Sequence, residues 1–219
     1  MSRLIVFGCS LAYGVGLVDC WPKPLKPSKL SWPQLTATAM ERTLVNKSFP
    51  GASNKRIWHS IKKFKFKSDD LVIISWTFPN RYSVITSPWN TNDLHHNHSE
   101  IDLASKSYYT DIYSTYDSYV MSNLFVDHAN KILQGLNIKV YNLVVEQYFK
   151  HIIGKHELIP MYIGVYEELY PKALDNDHLG QEGHIAFASD LMDYFGESHT
   201  LVAVKPYNIF KQLKQLIWK

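Results

Sequence analysis

The sequence predicts an α/β chain: a mostly parallel central sheet covered by helices on both faces, in a three-layer α/β/α sandwich. Three observations carry that prediction. Residues 4–7 are a continuous apolar run and 71–76 a nearly continuous one, the pattern of strands buried on both faces, and 138–145 reads as a further strand. Segments with helical periodicity separate them. Turn residues, among them Gly8, Gly51 and Gly135, mark the changes.

The elements follow in order. Residues 4–7 (Leu-Ile-Val-Phe) form the first strand, and Gly8 ends it. Pro22, Pro24 and Pro27 then impose a long loop, because each fixes its backbone and removes a donor. A helix starts at Ser31, with Gln34 completing a capping box and Leu30 and Leu35 at staple positions. Residues 43–46 make a short second strand, followed by the turn of Gly51. Ser53 or Asn54 caps the next helix, whose Ile57, Ile61 and Phe64 share one face. Residues 71–76 (Leu-Val-Ile-Ile-Ser-Trp) are the clearest buried strand.

From about 78 to 112 the chain is polar, aromatic and poorly periodic, and reads as a long functional loop or lid. A long helix over 114–134 stops at Gly135, a strand covers 138–145, and 146–177 is irregular with some helix. The helix over about 180–195 turns Ile185, Ala188, Leu191 and Phe195 inward. A last amphipathic helix, about 207–217, carries Phe210, Leu213, Leu216 and Ile217. No repeat or linker divides the chain, so residues 1–219 are expected to form one domain. Strands beginning near Leu4, Leu44, Leu71 and Ile138 should lie in one parallel sheet.

Composition narrows the function classes. The chain is 46% hydrophobic and 20% charged, as ordinary globular domains are. The net charge of +3 comes from interspersed residues, without the basic stripe of a nucleic-acid-binding protein. The densest basic stretch, from Lys55 to Lys67, reads as the exposed face and end of a helix. Six Trp and fourteen Tyr fit either a sugar-binding surface or aromatic packing. Cys9 closes a buried strand, so no disulfide with Cys20 is expected. The apolar run after Met1 is too short for a signal peptide, which implies cytoplasmic synthesis, and no segment approaches a membrane span.

No cofactor or metal is expected. His95-His96-x-His98 lacks further ligands at metal spacing. Gly14-Val15-Gly16 lacks the third glycine of a dinucleotide fingerprint and stands well past the strand. A phosphate loop and a Gly-x-Ser-x-Gly elbow are both missing from the sequence.

In open parallel sheets, ligands bind at the carboxyl ends of the strands. Those ends carry Gly8-Cys9-Ser10, Pro50-Gly51-Ala52-Ser53-Asn54 and Thr77-Phe78-Pro79-Asn80-Arg81. Asp175-Asn176-Asp177-His178 precedes the late helix. Together they supply a hydroxyl nucleophile, an imidazole base, a carboxylate to orient it, and donors for an oxyanion, the parts that acyl transfer needs.

Gly8-Cys9-Ser10-Leu11-Ala12-Tyr13-Gly14 resembles the first block of the SGNH hydrolases, the GDSL-type esterases. Residues 46–54 resemble their second block, and Asp175-Asn176-Asp177-His178 their last, Asp-x-x-His. The order is the family's and spans nearly the whole chain. The Ser-Trp-Pro helix with Pro-Gly-Ala-Ser-Asn is similar to SGNH-like proteins encoded by bacteriophages.

The resemblance implies a flavodoxin-like SGNH fold and a serine esterase of small acyl, for example acetyl, esters. It implies Ser10 as nucleophile, His178 as base and Asp175 as orienter, with Asp177 the rival. Ser10 and Gly51 amides, with Asn80 or Thr77, would form the oxyanion hole, and Arg81 and Trp76 would line the substrate site. An O-acylated polysaccharide is the substrate expected from the aromatic loops.

Two departures stand out. Cys9 replaces the family's Asp, and Ser75-Trp76-Thr77-Phe78-Pro79-Asn80-Arg81 occupies the place of the third block, Gly-x-Asn-Asp. They leave two alternatives: a non-catalytic glycan-binding or virion module, and an acyltransferase with the same triad.

Overall fold

In a computed structural model, residues 2–87, 90–94, 103–144, 158–160 and 163–196 are described. The helix expected at 207–217 and the His95-His96-x-His98 triplet lie outside them.

The first strand, β1, is Arg3–Phe7, and a single helical turn, α1, is Ser10–Tyr13. Next come α2 (Trp32–Ala39), β2 (Thr43–Asn46), α3 (Asn54–Lys63) and β3 (Leu71–Trp76). A hairpin of β4 (Tyr82–Ser87) and β5 (Asn90–Leu94) is followed by α4 (Leu103–Ser107), which runs into a π-helical turn, Tyr108–Ile112. The long α5 is Thr115–Gly135, followed by β6 (Lys139–Val144) and β7 (Leu158–Pro160). Two helices, α6 (Ile163–Leu169) and α7 (Gln181–Phe195), complete the described chain.

The main sheet has the order β2-β1-β3-β6-β7, and every pairing in it is parallel. Its strands, numbered along the chain, run 2-1-3-4-5, the flavodoxin-like order. The winding reverses between β1 and β3, so their carboxyl ends flank the crevice where such folds bind ligands. Leu4 pairs with both Leu44 and Leu71, and Leu71 with Lys139, as the four expected strand starts require.

Burial explains the sequence pattern. All six residues of β3 are buried, and so are Leu4, Ile5, Val6 and Phe7 of β1, because helices cover both faces. Among those helices α2 packs against α7, and α3 packs against α5. At the amino edge Arg3 grips Asp70 through Nε and Nη2, at 2.7 and 2.6 Å, which joins the start of β1 to the start of β3.

Three local expectations change. Ser31 does flank α2, but its hydroxyl donates to the Ser28 carbonyl at 2.8 Å, so the capping box does not form. The stretch read as a loop or lid at 78–112 contains the β4–β5 hairpin, whose polar faces hid its alternation. Within the stretch read as irregular, residues 158–160 add a fifth strand, only three residues long and ending in Pro160, a residue that edge strands tolerate.

Candidate active site

Ser10 opens α1 at the carboxyl end of β1. The bend there depends on Gly8, since a Cβ at that position would lie 2.8 Å from Ala12 Cβ and 3.0 Å from Ser75 Cβ. As the first residue of a helix, Ser10 has an amide hydrogen with no intrahelical acceptor, a donor available for an oxyanion. Gly14 ends the turn in the left-handed region, and its amide returns to the Ser10 carbonyl at 2.9 Å. Ser10 is 8% exposed, so only a small part of it is open to solvent.

The exit of β2 is stitched onto that turn. Asn46 Nδ2 donates to the Ala12 carbonyl at 2.7 Å, and Asn46 Oδ1 accepts from the Ser48 amide at 3.0 Å. The Phe49 amide donates to the Gly8 carbonyl at 3.1 Å. Two residues on, Gly51 adopts φ +71°, the conformation for which a glycine is needed.

Asp175 and His178 sit in a tight loop that the carboxylate itself organises. Asp175 Oδ1 accepts from the amides of Asp177 and His178 at 3.1 and 3.0 Å, while Oδ2 meets His178 Nδ1 at 2.7 Å. Burial pushes the Asp175 carboxyl up, but the hydrogen bonds from the His178 and Asp177 amides and from the imidazole outweigh it and hold the acid below its ordinary range. The rival carboxylate, Asp177 Oδ2, stands 3.8 Å from Nδ1 and its side chain is 84% exposed. With Nδ1 engaged, Nε2 is the ring nitrogen left for a reacting group.

This loop docks on the segment that follows Ser10. The Leu174 amide donates to the Gly16 carbonyl at 3.0 Å, and Gly16 leaves space that the Asp175 carboxylate fills. Behind His178, His184 is fully buried and accepts from the Trp32 amide through Nδ1 at 3.2 Å. Burial, with a smaller effect of neighbouring His178, lowers the pKa of His184 to about 3, so it stays neutral.

The end of β3 departs from the sequence reading. Trp76 is fully buried and donates its indole N–H to Asn142 Oδ1 at 2.9 Å, so it belongs to the core and presents no surface to a substrate. Thr77 is likewise 0% exposed. Asn54 Oδ1 takes its amide at 2.8 Å, Asn54 Nδ2 donates to its carbonyl at 3.0 Å, and its hydroxyl oxygen accepts from Arg81 Nη1 at 3.0 Å. A side chain so enclosed has no surface from which to serve an oxyanion. Arg81 is half-buried, with its guanidinium 5.1 Å from the centre of the Phe78 ring, which ties part of it to the scaffold.

Asn80 is the exposed member of this segment. It lines a cleft of about 460 Å3 with Phe78, Tyr113, Ser118 and Tyr119, a size within the range of small-molecule sites. Its carbonyl accepts from the Tyr109 hydroxyl at 2.7 Å, and that hydroxyl also lies 3.0 Å from the Leu94 carbonyl.

No family model matches the sequence, and no curated protein is similar to it in sequence. Solved structures are similar in fold. A carbohydrate esterase family 2 enzyme with a carbohydrate-binding domain, from Corynascus thermopiles (Myceliophthora fergusii), superposes with a TM-score of 0.55 at 13% identity. The match covers 89% of this chain and 67% of that one. A lipase/acylhydrolase from Enterococcus faecalis gives 0.51 at 13% identity, over 89% and 95% of the two chains. An acetyl xylan esterase from Butyrivibrio proteoclasticus gives 0.54 at 12% identity over 88% of this chain, which spans 62% of that longer protein. This chain has the SGNH-hydrolase fold.

Within that fold, two residues tie together the segments that follow β1, β2 and β3. Asn46 fastens the end of β2 to the α1 turn, and Asn54 fastens the start of α3 to the end of β3. Asn54 was legible only as a possible helix cap; the cap is Ser53, whose hydroxyl accepts from the Arg56 amide, and Asn54 turns inward from the first helical position. Its two amide hydrogens are committed to the Thr77 carbonyl and to Ser122 Oγ at 3.1 Å, so it shapes the SGNH crevice without supplying a free donor.

Proposed function

We propose that this chain is a serine esterase in which Ser10 is the nucleophile, His178 the general base and Asp175 the residue that orients it. The observation that carries the reading is the Asp175–His178 hydrogen bond, 2.7 Å long, in a loop seated on the segment leading from Ser10. Asp175 fixes the tautomer with the proton on Nδ1, which leaves Nε2 basic. Nε2 takes the hydroxyl proton as Ser10 Oγ attacks the ester carbonyl. The tetrahedral oxyanion receives hydrogen bonds from the Ser10 and Gly51 amides and from the Asn80 side chain. Collapse expels the alcohol, which takes its proton from His178. Water, deprotonated by the same imidazole, then attacks the acyl-enzyme and frees the acid and Ser10.

Short acyl esters on a carbohydrate are the proposed substrates. Carbohydrate esterases of the same fold support that class. The test is hydrolysis of an acetyl aryl ester and of acetylated xylan by the purified protein. Ser10→Ala and His178→Ala should each abolish most of the turnover while the melting temperature holds. Cys9→Ser should stay active; activity that survives Ser10→Ala and disappears in Cys9→Ser would move the nucleophile to the cysteine and overturn the assignment.

A further inference from the structure

A second cavity, of about 330 Å3, lies between the end of β1, the segment that leads to Gly51, and α3. Lys47, Arg56 and Lys63 bring three cations to its wall, His59 adds an imidazole, and Phe49 and Phe64 supply rings. Among the described residues that line it there is no carboxylate.

Two of these cations are held in place. The Arg56 guanidinium stacks 4.1 Å from the centre of the Phe49 ring and is paired with Asp93 of β5, so the hairpin positions it. The Lys47 ammonium lies 5.9 Å from the centre of the Phe64 ring. Lysines at the end of a helix ordinarily serve its dipole and solubility, and Lys62, over the Trp58 ring at 5.6 Å, fits that role. Lys63, one residue on, instead faces the cavity. The concentrated charge also acts on the wall: burial first, then Lys63, Lys62 and Lys55, press the His59 pKa below its ordinary value.

We propose that this cavity binds an oxyanion, a phosphate or carboxylate group, with Lys47 and Lys63 as its counter-charges, the Asp93-paired Arg56 as a fixed donor on the wall, and Phe49 and Phe64 flanking whatever carries it. The cations share the wall of one open hollow of about 330 Å3, room for a small ligand, and do not run along the surface as the track of an extended polyanion would. The inference stands apart from the esterase reading and is tested without it.

His59 is a built-in reporter. A bound anion offsets the lysine field, so the imidazole pKa should rise on binding. The experiment follows the His59 ring by NMR, assigned with His59→Gln, while inorganic phosphate is added at constant ionic strength made up with chloride. The expected result is a saturable rise. The double variant Lys47→Ala/Lys63→Ala should weaken phosphate binding roughly tenfold or more, as loss of two charge-assisted contacts implies. Lys47→Arg should retain the site and so control for folding.

A second arm compares phosphate with a sugar phosphate. Tighter binding of the sugar phosphate, lost in Phe49→Ala, assigns an anion carried on a ring; equal binding assigns free phosphate. A shift that does not saturate, or that persists unchanged in the double variant, is bulk screening and overturns the proposal.

Discussion

The Asp175 carboxylate occupies the space that a side chain at position 16 would need: a Cβ built on Gly16 lies 2.6 Å from Asp175 Oδ2. Gly16 is therefore the surface on which the Asp–His loop rests, and its own φ of +85° also calls for glycine.

Gly16→Ala should accordingly do two separable things. Left-handed strain costs about 1–2 kcal/mol, and the methyl group displaces the carboxylate that aims His178. Gly196→Ala is the control, because Gly196 has φ +70° but nothing within 4 Å of its Cβ position. Both variants should lose stability in urea unfolding, and only Gly16→Ala should lose most of its esterase turnover. Equal turnover in the two would show that the position of Asp175 does not matter to the reaction.

Asn54 predicts a large structural effect. Asn54→Ala strands the buried amide and carbonyl of Thr77, and an unsatisfied buried group costs about 1–3 kcal/mol. Asn54→Asp keeps the acceptor for the Thr77 amide and loses both donors, to the Thr77 carbonyl and to Ser122. Chemical denaturation should rank stability as wild type, then Asn54→Asp, then Asn54→Ala. The reverse order for the two variants would mean that burying the aspartate charge outweighs the bond it keeps.

How much of this was legible depended on what each residue's neighbours had to be. The buried strands announced themselves because a parallel strand covered on both faces must be apolar at every position, as Leu71–Trp76 is. Asp175 and His178 were readable because three residues suffice for the carboxylate to fold back on its own loop. Trp76 and Thr77 were misread as site residues. Their place at a strand's carboxyl end says nothing of whether partners such as Asn142 and Asn54, 66 and 23 residues away, enclose them. The hairpin was hidden for a different reason: its strands, Tyr-Ser-Val-Ile-Thr-Ser and Asn-Thr-Asn-Asp-Leu, carry little hydrophobic alternation.

Acid should act through His184. Its pKa of about 3 in the folded protein lies below the unfolded value of 6.5, so between those values the unfolded chain binds the extra proton. Stability therefore rises with pH across that window, and is lost as pH falls from about 6.5 towards 3, by on the order of 5 kcal/mol for full depression. His184→Asn removes the titrating ring and can still accept from the Trp32 amide. Urea midpoints measured from pH 7 to pH 3 should fall less steeply for His184→Asn than for the wild type. Parallel curves would mean that the ring protonates in place without cost.

The last prediction concerns the oxyanion donor in the segment that follows β3. With Thr77 enclosed, Asn80 is the side chain of that segment on the open cleft. Asn80→Ala should lower kcat by roughly 10²-fold or more with little change in KM, because such a bond strengthens as charge develops on the carbonyl oxygen. Thr77→Val should leave turnover near wild type, with its cost confined to stability through the lost acceptor for Arg81. Tyr109→Phe frees the Asn80 carbonyl and should give a smaller loss, in kcat before KM, since it loosens the donor without removing it. Steady-state kinetics on an acetyl aryl ester separates these cases. A silent Asn80→Ala beside a crippled Thr77→Val would return the donor to the buried threonine and require the end of β3 to open when substrate binds.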